Sequence, residues 1–513
     1  MPMRLDFSTA ITYLNLGVAL GLPYAFYMYF TALRKRALLE AIPTVGHDGI
    51  FTSYITIWRY LFDGRALIEE GCRKYPGSAF KIPTIDGWQV VVNGHQMYDG
   101  LRRASEDELS TFEALDDLFK ARYTMSPHLN DNPYHVDVIL TSLTRNTAAK
   151  LDDIRDEIRQ AFQDFIPATE DWTEYSNLPK LMPKIVVRVS NRVFVGLPLC
   201  RNKDWCDLNV KFTISVAVNA LVIGLFPKFL HPIVGRIFSS RRSSLRRATK
   251  HLSSILKERM ETESQNHGSG VEQSYEPNDL LSWLVDKREK IGEDWQKASV
   301  EDLSLRVIAI NFAAIHTTSG FFTHALYDLA ANPQLADPLR DEFTSVIESE
   351  GGWTKSAMSK MYMLDSFLKE SARKGVASVS VIRIALQDFM LPNGIRLPTG
   401  TKVGIAAYHT HHSEKTYPAP DTFQVARFAE KGGNTRNCMT TLSEDWLTFG
   451  TGKHACPGRF FAVNQLKMLM GYVLLTYDVK FSEKQANFPH PLWFANTVIP
   501  NSSARVMFRR RKM

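Results

Sequence analysis

The stretch Phe449-Gly450-Thr451-Gly452-Lys453-His454-Ala455-Cys456-Pro457-Gly458 constrains this chain more than any other. It presents one cysteine on a turn loosened by two glycines, directly before a run able to begin a helix. Gly450 and Gly452 open backbone conformations closed to other residues, so an unusual loop is expected rather than an element interior. Pro457 suits the first helical position, where a missing N–H removes no bond. A sulfur at a helix N-terminus meets the positive end of the dipole and free backbone N–H groups, which favour its anionic form. Cys456 is therefore a candidate anionic metal ligand. The competing reading is a small apolar side chain that fills core.

The N-terminus sets a second constraint. No charged residue occurs from Phe7 to Leu33, and the stretch is rich in Leu, Phe and Tyr and includes Val18 and Met28. That length crosses a hydrocarbon core as one helix, although Gly17, Gly21 and Pro23 weaken its interior. A secretory signal would have a shorter apolar region and a small-residue cleavage site. Here Arg34, Lys35 and Arg36 follow at once, and basic residues are retained on the cytoplasmic side. The expected organisation is a transmembrane anchor at residues 7–33 followed by one cytoplasmic domain at residues 34–513, with a buried hairpin or re-entrant segment as the rival for the first. Five cysteines among 513 residues, odd in number, argue against a disulfide framework and fit a reducing compartment. The net charge of +7 suits a membrane surface or an acidic protein partner, and no nucleic-acid motif is present.

Along the chain, alternating apolar positions from Phe80 to Asn93 around Asp86-Gly87 predict a β-hairpin. From Ile139 to Lys360 the apolar spacing is helical, with a polar break at Glu261–Asn278 expected to be a surface loop. Strand-like runs follow between Val376 and Val403, with turns at Pro392-Asn393-Gly394 and Pro398-Thr399-Gly400. Helix returns after Cys456. The fold class expected is mainly α with small β-sheets.

Three motifs then stand in order. Glu370 and Arg373 are three residues apart on one helix face. Downstream comes Phe423-Gln424-Val425-Ala426-Arg427-Phe428, and then the cysteine loop. The set E-x-x-R, F-x-x-x-R-F and F-x-x-G-x-[RKH]-x-C-x-G resembles the cytochrome P450 superfamily, over nearly the whole chain, and is most similar to microsomal enzymes of basidiomycete-like fungi. The resemblance implies the P450 fold and haem b held by Cys456, with Phe449, Gly450 and Gly458 shaping the loop. Glu370, Arg373 and Arg427 would form a buried charge network that steadies it; Val425 and Ala426 stand where proline and an acid are usual.

Within a helical stretch from Leu303 to Leu329, Asn311-Phe312-Ala313-Ala314-Ile315-His316-Thr317-Thr318-Ser319 resembles the family's oxygen-binding helix. Thr317 aligns with the threonine that bonds dioxygen and relays protons. His316 stands where an acid is usual and is expected to shuttle protons instead. Taken by themselves, mid-helix threonines back-bond to the preceding turn. Arg383 and His454 resemble haem-propionate partners. His135 lies near the start of a propionate-contacting helix, but W-x-x-x-R is absent and the role is not carried over. His409, His411 and His412 lack a completing ligand set, and local backbone contacts explain them better than a metal.

The resemblance implies a monooxygenase that uses O2 and electrons from NADPH through NADPH-cytochrome P450 reductase, since no flavin or nicotinamide fingerprint is present. Lys453, Arg459 and Lys467 are candidates to meet that reductase. The substrate expected is an apolar small molecule, a terpenoid or related fungal secondary metabolite, in a pocket lined by Ile308, Phe312, Ala313, the segment Val376–Ile382 and Trp493-Phe494-Ala495. Leu221–Leu230 is expected to form an apolar access-channel helix facing the endoplasmic reticulum membrane. Two readings from other classes stand beside this one: a haem-thiolate isomerase or dehydratase acting on a peroxide, and a non-catalytic membrane haem carrier or sensor.

Overall fold

A computed structural model describes residues 30, 33–34, 36–269, 278–289, 299–429, 437–485 and 487–512. The anchor expected at 7–33 falls almost wholly outside the described residues. The elements that bear on the site begin with helix α1 (Ser53–Lys74), the hairpin strands β1 (Ala79–Thr84) and β2 (Gly87–Val92), then β3 (Leu109–Ser110) and α2 (Thr111–Phe119). Next come α3 (Leu151–Phe165), β4 (Thr173–Ser176), α4 (Leu178–Phe194), α5 (Lys203–Gly224), α6 (His231–Phe238), α7 (Arg241–Ser269), α8 (Val300–Ala331), α9 (Ala336–Ser349) and α10 (Tyr362–Lys374). The C-terminal part adds β5 (Ser380–Ala385), β6 (Lys402–Ile405), α11 (Ala407–His411), α12 (Arg459–Thr476), β7 (Tyr477–Phe481), β8 (Leu492–Phe494), β9 (Thr497–Ile499) and β10 (Arg505–Arg510).

Helix α8, 32 residues long, is the central strut. Ser299 caps it by accepting the Asp302 N–H at 3.3 Å, and Glu301 and Asp302 place negative charge in the first turn. Most of its remaining length is buried, polar residues such as Arg306 and Asn311 included, because α4, α5, α7, α10 and α12 pack about it. A buried polar knot fixes the crossing. Asn191 of α4 donates to Asn311 of α8 at 2.7 Å and accepts the Trp205 indole N–H of α5 at 2.9 Å.

The five-stranded sheet runs β1-β2-β6-β5-β3, with β2 and β6 parallel and the other pairs antiparallel. The expected hairpin is present, pairing Thr84 with Gly87 across Ile85-Asp86. Lys402 at the start of β6 bonds Asp86 at 2.5 Å and Asp117 of α2 at 2.7 Å, which ties α2 to the hairpin. A three-stranded sheet, β4-β10-β7, closes the C-terminus.

Three local expectations change. Residues 261–269 continue α7 instead of forming a loop; Glu and Gln are good helix formers, and polarity alone does not break a helix. Residues 270–277 lie outside the described residues. Pro457 is not the first helical residue: Gly458 is the N-cap and α12 opens at Arg459. The stretch Leu221–Leu230 is likewise divided, since α5 ends at Gly224 and a separate turn spans Lys228–Leu230.

Candidate active site

The cysteine loop takes the shape its glycines permit. Gly450 and Gly452 adopt φ of +73° and +66°, and a Cβ at Gly452 would lie 3.1 Å from Arg102. The Cys456 N–H donates to the Phe449 carbonyl at 2.7 Å, and the Gly450 N–H donates to Leu447 at 3.0 Å. Burial pushes the Cys456 thiol up, while the backbone N–H groups of Gly458 and Arg459 and the Arg459 charge pull it down. Those donors sit where a sulfur anion needs them, and a bound metal cation deprotonates such a thiol outright.

Helix α10 and the segment 418–427 carry the charge network. Glu370 and Arg373 of α10 are fully buried and Arg427 is 7 % exposed. Arg373 grips Glu370 through Nε at 2.7 Å and Nη2 at 3.0 Å. Arg427 Nε reaches both carboxylate oxygens at 3.1 and 3.0 Å. The guanidiniums also donate to main-chain carbonyls of His411, Pro420, Pro418, Ala419 and Thr422, so every charge is hydrogen-bonded, the condition for keeping charge in the interior. Two of the three motifs legible in the sequence, E-x-x-R and F-x-x-x-R-F, are thus brought together in space.

On α8, Ala313 and Thr317 are exposed, one turn apart, in the middle of an otherwise packed helix. Gly320 extends the same stripe, with nothing within 4 Å of where its Cβ would be. The Thr317 hydroxyl donates to the Ala313 carbonyl at 2.7 Å. His316 points elsewhere: its Nε2 lies 3.0 Å from the Val210 carbonyl of α5, and burial lowers its pKa. Phe312 meets Phe119 of α2 edge-on at 4.9 Å. Helix α12, into which the cysteine loop leads, packs on α8.

Arg383 of β5 is 4 % exposed and donates to its neighbour's carbonyl at 3.1 Å. Burial pushes its pKa down to about 10, against the pull of Glu106. Among the described residues no carboxylate pairs with it within ion-pair distance. His454 stands 3.1 Å from Glu106, and burial lowers its pKa. A haem fits this set. Its acidic propionates would meet the buried, carboxylate-free Arg383, its iron the sulfur of Cys456, and its open face the Ala313–Thr317 stripe.

Other expectations resolve differently. Lys467 is buried, bonded to Asp365 at 2.7 Å and the Met358 carbonyl at 2.8 Å, and is not available to a partner. Arg459 is held by the Thr440 and Cys456 carbonyls; Lys453 stays exposed. Trp493 packs edge-on against Tyr408, and Phe494 against Phe62 of α1, on the outer face of the molecule. His135 accepts from Arg306 of α8 at 3.0 Å. The three clustered histidines diverge: His409 meets Glu69, His412 stacks on Tyr408, and His411 turns inward. No group of three metal-ligating side chains occurs among the described residues. Glu106 and His411 are the participants that sequence reading missed. Glu106 accepts from the Thr111 and Phe112 N–H groups at 3.1 and 3.0 Å, and an acid just ahead of a helix start was its only local signal.

A haem-thiolate enzyme is the class this arrangement defines. Comparison with known proteins agrees: the Cytochrome P450 family model matches residues 89–508, and the chain belongs to that family. Cytochrome P450 monooxygenase 151 of Postia placenta is 40 % identical over 92 % of this chain and 94 % of its own length. Cytochrome P450 monooxygenase CYP512U6 of Ganoderma lucidum is 32 % identical over 92 % of both, and paxP of Penicillium paxilli is 30 % identical over 99 % and 97 %. The protein is a fungal-type P450 monooxygenase with haem iron and an axial cysteine as cofactor chemistry.

Proposed function

We propose that this chain inserts oxygen into an apolar small molecule of terpenoid class, with Cys456 as the axial thiolate and electrons delivered from NADPH by NADPH-cytochrome P450 reductase. The observation that carries the reading is the buried Glu370–Arg373–Arg427 network together with a glycine-turned loop in which the Gly458 and Arg459 N–H groups favour the anionic form of Cys456. When bound, the haem supplies O–O bond cleavage, promoted by electron density from the thiolate. The chain's own residues do the rest. Gly458 and Arg459 stabilise the sulfur's charge, while Arg383 and His454 orient the acidic edge of the cofactor. Thr317, with its hydroxyl on the open stripe, would hold a proton at that hydroxyl for the oxygen chemistry the haem supplies. His316 can move protons only after releasing Val210, so its role in the relay carries that condition. The Phe119–Phe312 pair excludes water and favours a hydrophobic substrate.

The membrane reading extends from the same residues. Phe51, Tyr54, Ile55, Trp58 and Phe62 are all more than half exposed, and four of them line one face of α1 at helical spacing. Leu225, Phe229, Ile233 and Ile237, around the end of α5 and along α6, are equally exposed. Such apolar surface supports a domain, residues 34–513, lying against an endoplasmic reticulum membrane to which residues 7–33 anchor it. Among the described residues α5 is long and apolar enough to cross a membrane, yet it packs Trp205, Phe212 and Val216 into the core.

The test is reconstitution of the full chain with reductase, NADPH and a panel of terpenoids. Oxygenated product that requires NADPH supports the proposal. Turnover of hydroperoxides without NADPH, or haem binding without any turnover, overturns it. Cys456→Ser must abolish the thiolate band of the reduced, carbon-monoxide-bound protein; its survival would refute the ligand assignment.

A further inference from the structure

A buried imidazole, that of His411, connects the charge network to the backbone leading into the cysteine loop. Among the described residues, the hydrogen-bond partners of Glu370, Arg373 and Arg427 outside the trio lie at His411 and between Pro418 and Gln424, and none lies in 445–458. Arg373 also covers the Tyr417 ring at 5.4 Å, and the Tyr417 hydroxyl donates to the Asp445 carbonyl at 2.8 Å, short of the loop's glycines. His411, completely buried, bridges that gap. Its carbonyl accepts from Arg373 Nη1 at 2.6 Å, its Nδ1 lies 3.3 Å from the Arg373 carbonyl, and its Nε2 accepts the Leu447 N–H at 2.9 Å. Nε2 can accept only in the neutral tautomer that carries its proton on Nδ1, and the facing Arg373 carbonyl selects that tautomer. Desolvation holds the pKa down at about 3, so the lone pair stays available.

The ring is also fixed in orientation. It stacks on Trp446 at 5.2 Å with planes 5° apart, and the Trp446 indole N–H donates to the Met439 carbonyl at 2.8 Å. From Leu447 the path runs on through the backbone: Gly450 N–H to the Leu447 carbonyl, then Cys456 N–H to the Phe449 carbonyl. A shift of Leu447 is therefore a shift of the turn from which the sulfur hangs.

We propose that His411 is a positioning residue for the Cys456 sulfur, its Nε2 holding Leu447 so that the loop presents a thiolate, rather than a displaced thiol, to the iron. This rests on Cys456 being the ligand. The substitutions that separate acceptor from bulk are His411→Gln, whose amide oxygen can take the Leu447 N–H, and His411→Met, of similar size but without that acceptor.

Haem-loaded protein is reduced, exposed to carbon monoxide and followed in mild urea for conversion of the thiolate band to the thiol band. Orphaning one buried N–H is expected to speed conversion about tenfold in His411→Met, with His411→Gln within about twofold of wild type. Equal behaviour of the two variants, or wild-type stability of the band in His411→Met, overturns the proposal. The wild-type Leu447 amide should also resist hydrogen exchange as strongly as α10; exchange at the rate of an open loop overturns the proposal even where a variant fails to fold. The Cys456→Ser control keeps the two questions apart, because survival of the band there refutes the ligand assignment and not the role of His411 alone.

Discussion

Glu370→Gln is the sharpest perturbation this molecule offers. The carboxylate is wholly buried and takes hydrogen bonds from Arg373 Nε and Nη2, from Arg427 Nε and from the Gln424 N–H. Glutamine preserves the shape but removes the only negative charge that, among the described residues, pairs with the two guanidiniums, and it turns one acceptor into a donor among donors. Removing one partner of a buried ion pair costs roughly 3–5 kcal/mol because the survivor is left uncompensated. Two survivors share the loss here, although their main-chain carbonyl partners remain, so about 4 kcal/mol is expected. Stability of folded domains is only about 5–15 kcal/mol, so this is a large fraction. Each kcal/mol lowers the midpoint by about 2–4 °C at 150–250 residues, and by about half that in a chain twice as long. The haem-loaded variant should therefore unfold about 4–8 °C lower by circular dichroism and release haem earlier in urea. Glu70→Gln, at the exposed pair with Arg59 and Lys74, is the control and should shift the midpoint by less than about 1 °C. A Glu370→Gln midpoint indistinguishable from that control would refute the argument.

Other outcomes follow from particular side chains. Thr317→Ala should lower product formed per NADPH several-fold and raise hydrogen peroxide release, with little change in stability, because its hydroxyl bonds only its own helix; unchanged coupling would remove Thr317 from the relay. Asp328, fully buried against Ser371, has its pKa pushed up to about 6 by burial. A raised carboxylate pKa means the fold binds the proton better than the unfolded chain, so this group favours folding at low pH. That contribution is lost as pH rises from about 4 to about 6. Asp328→Asn keeps a partner for Ser371 and should gain about 1–3 kcal/mol at neutral pH relative to pH 4, read as the difference in denaturation midpoints; a parallel pH profile for both proteins would contradict it. Trp58 should be quenched by brominated lipid when the full chain sits in vesicles, so Trp58→Phe should remove a measurable share of the quenching.

Much of the site was legible because its chemistry is local. Glu370 and Arg373 share a helix face by spacing alone, Gly450 and Gly452 announce a left-handed turn, and Ala313 and Thr317 fall one turn apart. Lys467 was misread because a lysine near a functional loop looks solvated in one dimension, whereas Asp365 on a different helix buries it. The polar stretch after Glu261 was misread because polarity separates buried from exposed, not helix from loop. His411 was passed over because one of three neighbouring histidines has no distinguishing local pattern. Its partners, Arg373 and Leu447, lie 38 and 36 residues away.

The amino-acid sequence by itself determined the family, the helical class and the cysteine loop, since each depends on residue type at short fixed spacing, where backbone sterics and helix geometry decide the outcome. Tertiary structure alone decided which charges face one another, where His316 points and how the brace reaches the sulfur. Those depend on distances between segments far apart in the chain. There, burial turns a weak surface contact into an obligatory one, because a polar group removed from water must find its partner inside the protein.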